Sequence, residues 1–121
     1  MKVLLIEDDI WQADLVKDRL TKEGMEVAVV RDAIAGIEQV DSAMPTVIVL
    51  DIFLPGPNGL AFLHELRSFS DTGDIPVIIW TTATMKDTLD QFSPYGVTAV
   101  IDKSLATLDE LVVAIKKAVQ V

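Results

Sequence analysis

The residues Val47-Ile48-Val49-Leu50 form an unbroken apolar run that stops at a carboxylate, Asp51, and then gives way to Pro55-Gly56-Pro57-Asn58-Gly59. A run of Val, Ile and Leu bounded by turn residues reads as a strand buried on both faces, and such strands belong to parallel sheets with helices on each side. The rest of the chain must then supply further parallel strands and the helical crossovers between them. Open sheets of this kind hold their ligands outside the carboxyl ends of the strands. Asp51 therefore stands at the mouth of a site.

The chain meets that requirement. Val3-Leu4-Leu5-Ile6 is a short buried strand followed by Glu7-Asp8-Asp9. Ala13, Val16 and Leu20, with Trp11 and Leu15 beside them, mark a helix from Ile10 to Glu23, and Gly24 suits its C-terminal cap. Strand two is Glu26–Val30, and Asp32 can cap a second helix with Ile34, Ile37 and Val40 inward. Asn58 can cap a third, Gly59 to about Phe69, with a Leu60, Leu63, Leu66 stripe. Strand four is Val77–Thr81. Thr84 with Asp87 predicts the start of a short helix carrying Met85, Leu89 and Phe92, closed by Pro94 and Gly96. Strand five is Val97–Ile101, and Thr107 with Glu110 forms a capping box for the last helix, with Leu108, Leu111, Ile115 and Ala118 inward. This alternation predicts an α/β, flavodoxin-like doubly wound (βα)5 fold: a five-stranded parallel sheet in the order 2-1-3-4-5, helices on both faces.

Composition narrows the function. The 121 residues suit a single domain, 1–121, with half the residues apolar. A net charge of −9 is a poor match to a polyanion, so direct nucleic-acid binding is not expected. The absence of cysteine excludes disulfides, thiolate metal sites and Cys nucleophiles. With no signal peptide and no membrane span in the pattern, a cytoplasmic location is expected.

In the 2-1-3-4-5 order, polar residues collect at one sheet edge. Strand one ends in Glu7, Asp8 and Asp9, strand three in Asp51, strand four in Thr81 and Thr82, and strand five in Asp102 and Lys103. Clustered carboxylates repel one another unless some are protonated or a hard cation sits among them. Such a set, with room for water, suits Mg²⁺ better than an all-protein Ca²⁺ cage. Lys103 offers a point charge and Thr81 a hydroxyl for phosphate oxygens, leaving Asp51 as the nucleophile. The residues point to metal-assisted phosphoryl transfer onto Asp51.

At this point the sequence resembles the receiver domains of two-component response regulators over the whole chain. The resemblance rests on Glu7-Asp8 after strand one and Asp51-x-x-Leu54-Pro55-x-x-Asn58-Gly59 after strand three. Pro76-Val77-Ile78-Ile79-Trp80-Thr81 and Lys103 complete it. It implies Asp51 as phosphoacceptor and Asp8 as a direct Mg²⁺ ligand. Glu7 would act largely through metal-bound water, and the Phe53 carbonyl would be a third protein ligand. Thr81 and Lys103 would meet the phosphoryl group, and Asp9 would lie outside the first ring of ligands. The implied donor is a phosphohistidine on a sensor histidine kinase or a histidine phosphotransfer protein. The implied readers are an output domain or partner protein. A homodimer would use the face made by the helix after Thr84, strand five and the last helix. Such a domain is a signalling phosphoacceptor rather than an enzyme.

Two positions depart from the family pattern. Val100 stands where Tyr or Phe is common, so no large ring is present to rotate with Thr81. Ser104 follows Lys103 where proline, often in a cis bond, is usual; a cis non-proline bond costs about 2.5–4 kcal/mol. The 103–104 bond is expected to be trans with a reshaped loop, or cis under strain. Neither Phe53 nor Ala83 carries a polar group to orient water, so phospho-Asp51 is expected to be long-lived.

Three rival readings compete with this one. A phosphatase with an aspartyl-phosphate intermediate needs a general acid two residues after the nucleophile, where Phe53 stands. A flavin binder needs a phosphate loop after strand one, where Glu7-Asp8-Asp9 would repel it. The serious alternative is a pseudo-receiver, a protein-binding module that is no longer phosphorylated. Its weakness is that Asp8, Asp51, Thr81 and Lys103 are all present. His64 reads as a surface residue, and Trp80 as core.

Overall fold

The computed structural model describes residues 1–54, 56, 58–69, 71–82 and 92–120. Its strands are β1 (Lys2–Ile6), β2 (Glu26–Val30), β3 (Val47–Leu50), β4 (Val77–Thr81) and β5 (Val97–Asp102). They form one parallel sheet in the order β2-β1-β3-β4-β5. The helices are α1 (Ile10–Lys22), α2 (Ala33–Ser42), α3 (Gly59–Arg67) and a C-terminal helix (Leu108–Ala118). A 3₁₀ turn, Ser93–Tyr95, leads into β5. The helix expected after Thr84 falls, up to Gln91, outside the described residues, whereas Phe92 is buried.

The central strands are buried from end to end, as their unbroken apolar sequences require. Alternation along them divides the interior in two. Leu4, Ile6, Ile48, Leu50 and Ile79 pack on one face with Ala33 and Val40 of α2 and Phe62, Leu63 and Leu66 of α3. Val3, Leu5, Val47, Val49, Ile78 and Trp80 pack on the other, against Ala13, Val16 and Leu20 of α1 and Leu111, Val112 and Ile115 of the C-terminal helix. The doubly wound, flavodoxin-like fold is therefore present.

The expected caps sit where the side-chain chemistry puts them. Asp32, Asn58 and Thr107 each accept a hydrogen bond from the backbone N–H three residues on, and Asp9 does the same for α1. Gly24 closes α1 with φ of 85°, a conformation that favours glycine.

The inward face of α2 differs from the expected Ile34, Ile37, Val40 stripe. Ala33, Gly36 and Val40 are buried, while Ile34 is 60 % exposed and Ile37 is half-buried. The reason is a close approach. A Cβ on Gly36 would lie 2.8 Å from Ile6 Cδ1 and 2.9 Å from Phe62 Cε1, so small residues must face the sheet here. In α3, Phe62 joins Leu63 and Leu66 in the core and Leu60 is only half-buried.

Candidate functional site

The carboxyl edge of the sheet brings together the residues that end four strands. Backbone hydrogen bonds run past the strand ends and fix them: Glu7 N–H donates to Val30 O (3.0 Å), Asp51 N–H to Ile6 O (3.0 Å) and Lys103 N–H to Thr81 O (2.9 Å). The side chains therefore leave a rigid sheet rather than free loops.

Lys103 bridges two carboxylates. Its Nζ donates to Glu7 Oε1 at 2.6 Å and to Asp51 Oδ2 at 3.0 Å, with its side chain only 7 % exposed. The other oxygen of Asp51, Oδ1, accepts from Thr81 Oγ1 (3.1 Å) and from the Phe53 N–H (3.0 Å). Glu7, Asp51 and Thr81 are all buried. Asp8, half-buried, completes a carboxylate cluster with Glu7 and Asp51 in which one oxygen from each lies within 4.8 Å of the others. Asp9 instead caps α1, its Oδ1 accepting from Gln12 N–H, and is not a member of this cluster.

The electrostatics follow from burial. Removal from water pushes the Glu7 carboxyl up to about 6, with the nearby Asp51 charge adding to the rise and the Lys103 hydrogen bond opposing it. Burial alone would lower the Lys103 ammonium, but hydrogen bonds to Glu7 and Asp51 outweigh it and raise its pKa. Among the described residues, the carboxylates gather around one well-held cation, Lys103. Carboxylate oxygens of this kind fit a small hard divalent ion such as Mg²⁺.

The structure brings the side chains of Glu7, Asp8, Asp51, Thr81 and Lys103 together, and it adds two contacts that were not foreseen. One is the Phe53 amide on Asp51, which fixes the backbone just past the acceptor candidate. The other lies beyond Lys103. No cis peptide occurs among the described residues, so the Lys103–Ser104 bond is trans. Asp102 Oδ1 accepts from Ser104 N–H (2.9 Å) and Ser104 Oγ (2.5 Å), and these bonds hold its carboxyl below the usual range. The Asp102 carbonyl accepts from Leu105 and Ala106 N–H. An Asp followed two residues later by Ser is a side-chain-to-backbone turn signal. Here it shapes the loop that proline would otherwise stiffen. Phe53 is 61 % exposed. Val100 packs, half-buried, against the core shared with α2 and α3.

Comparison with known proteins places this geometry in a family. The sequence profile of the family described as "Response regulator receiver domain" matches residues 3–116. The DNA-binding response regulator MtrA of Mycobacterium tuberculosis is 33% identical over 89 residues, covering 74% of this chain and 37% of its own length. The chain thus spans little more than a third of that relative. A sensor protein from Polaromonas sp. JS666 has the same fold with a TM-score of 0.91 at 24% identity, covering 98% of this chain and 94% of that one. The Mn²⁺-bound form of the response regulator Rcp1 aligns with a TM-score of 0.83 at 26% identity, over 96% of this chain and 91% of that one. With the profile spanning both sheet edges and all five strands, the chain belongs to the response regulator receiver domain family, whose members are phosphoacceptors of two-component signalling rather than enzymes.

Proposed function

We propose that Asp51 is the phosphoacceptor of this receiver, in a single domain spanning residues 1–121. The observation that supports this is the set of donors around one buried carboxylate: Thr81 Oγ1, Phe53 N–H and Lys103 Nζ all reach Asp51. In the transfer, an Asp51 carboxylate oxygen attacks the phosphorus of a phosphohistidine. The P–N bond breaks, the imidazole leaves and takes up a proton, and an acyl phosphate forms on Asp51. Lys103 then exchanges its bond to Asp51 Oδ2 for one to a phosphoryl oxygen, and Thr81 turns its hydroxyl toward another.

Glu7, Asp8, Asp51 and the Phe53 carbonyl would hold Mg²⁺, and the ion when bound would neutralise charge on the phosphoryl oxygens. The carboxylate cluster fits such an ion, and Rcp1 is a response regulator whose structure holds Mn²⁺. Glu7 is buried and accepts from Lys103 at 2.6 Å, so Asp8, the half-buried member of the cluster, is the carboxylate most open to a ligand. The donor is a sensor histidine kinase or a histidine phosphotransfer protein. The signal passes to an output domain or partner protein, and a homodimer would form through β5 and the C-terminal helix with the segment before them. No helix among the described residues is long and apolar enough to cross a membrane.

Incubation with Mg²⁺ and acetyl phosphate followed by intact mass measurement tests the reading. The wild type gains one phosphoryl group, and Asp51→Asn gains none. No adduct on the wild type would leave the pseudo-receiver, a binding module without phosphorylation. An undiminished adduct on Asp51→Asn would move the acceptor elsewhere.

A further inference from the structure

The core places small residues of α2 against the sheet and leaves two large aliphatic ones to one side. Ile34, 60 % exposed, and the half-buried Ile37 line a groove of about 340 Å³ between α2 and α3, together with Ala33, Ala61 and Phe62. Its polar lining residues are Glu38 from α2 and Glu65 from α3, both exposed. An isolated surface isoleucine means little, but here exposed Ile34 and half-buried Ile37 adjoin an apolar groove that could take a side chain of a partner.

We propose that this groove binds a basic amphipathic segment of a partner protein, which seats an aliphatic or aromatic side chain between α2 and α3 and sets Lys or Arg against Glu38 and Glu65. Charge complementarity selects that occupant. Each helix contributes one carboxylate, so cations flanking an apolar anchor would be met from both sides. A second copy of this chain is the poorer fit, because it would bring matching acidic walls and its own net charge of −9. The groove is lined by none of the proposed phosphoacceptor or metal residues, so the proposal stands or falls independently of chemistry at Asp51.

The test is selection of short random peptides from a displayed library on the folded wild-type chain. Binding of the winners is then measured to Ile34→Asp and to the Glu38→Lys, Glu65→Lys double variant. All three positions are exposed, and circular dichroism and urea midpoints confirm that the variants fold. The expected winners carry an apolar anchor flanked by Lys or Arg and lose about tenfold or more in affinity on both variants. Acidic or uncharged winners, winners indifferent to Ile34→Asp, or no winners would overturn the proposal. So would a concentration-dependent dimer in sedimentation that Ile34→Asp abolishes, since the groove would then serve a second copy.

Discussion

At the scale of the residue, Lys103 and Glu7 decide how the site behaves without a ligand. Glu7 titrates near 6 because it is buried, so the folded chain holds its proton more tightly than the unfolded chain, where 4.5 is usual. That contribution to stability is fully present below about 4.5 and is lost as pH rises through about 6. The urea midpoint of the EDTA-treated protein therefore falls across this window, and Glu7→Gln removes the fall. Lys103→Met should cost about 3–5 kcal/mol at neutral pH, where Glu7 and Asp51 would face each other without a cation, and less at pH near 5, where Glu7 can protonate. An equal loss at both pH values would show that Glu7 does not carry the effect. Phe53 supports a separate prediction. The residue is largely exposed, so we assign the long life expected of phospho-Asp51 to the lack of a polar group at this position rather than to shielding by the ring. Phe53→Asn should shorten that life several-fold in a phosphate-release assay and Phe53→Ala should leave it nearly unchanged. Equal shortening by both would restore shielding as the cause.

At the scale of the element, what was readable in the sequence divides along physical lines. The N-caps were legible because Asp32, Asn58 and Thr107 act through bonds to residues three positions away. The site edge was legible because each strand terminates at a change from apolar to polar residues. The inward face of α2 was not, because it depends on the Ile6 and Phe62 side chains, which arrive from elsewhere in the chain to crowd Gly36. Arg67, at the end of α3, is another long-range feature that no local pattern announces. Its guanidinium donates to the carbonyls of Tyr95 (2.6 Å), Gly73 (2.9 Å), Thr72 (3.2 Å) and Gly96 (3.4 Å). It thereby ties the end of α3 to the loop before β4 and to the turn that starts β5. Burial lowers its pKa, with the Asp74 charge opposing the change. Arg67→Met should destabilise the fold by about 2–3 kcal/mol, because several carbonyls lose a charged donor together. Arg67→Lys should recover only part of this, since one ammonium cannot reach both segments in the planar fork of a guanidinium. A Lys variant as stable as the wild type in urea would mean that charge alone, without the fork, is sufficient.

At the scale of the molecule, one sheet joins two cores, and a tryptophan sits where the second core meets the site. Trp80 is 5 % exposed, packs with the residues of α1 and the C-terminal helix, and immediately precedes Thr81 in β4. It also lines a cavity with Gln12, Thr82 and Lys103. Trp11, the other tryptophan, is 82 % exposed on α1 and would dominate the solvent-like part of the emission. Trp11→Phe should therefore leave a blue-shifted spectrum from Trp80 alone, at little cost to stability, because the residue removed packs against little. Two results then test the whole-chain picture. In urea, Trp80 emission and far-UV circular dichroism should report one coincident transition, as a single cooperative domain over 1–121 requires; separate midpoints would divide the chain. With Mg²⁺ and acetyl phosphate, Trp80 emission should change as Lys103 and Thr81 shift from the carboxylates to the phosphoryl group, and the change should vanish in Asp51→Asn. If intact mass shows the phosphoryl adduct while Trp80 emission stays constant, the rearrangement at Lys103 and Thr81 stops short of the core behind β4.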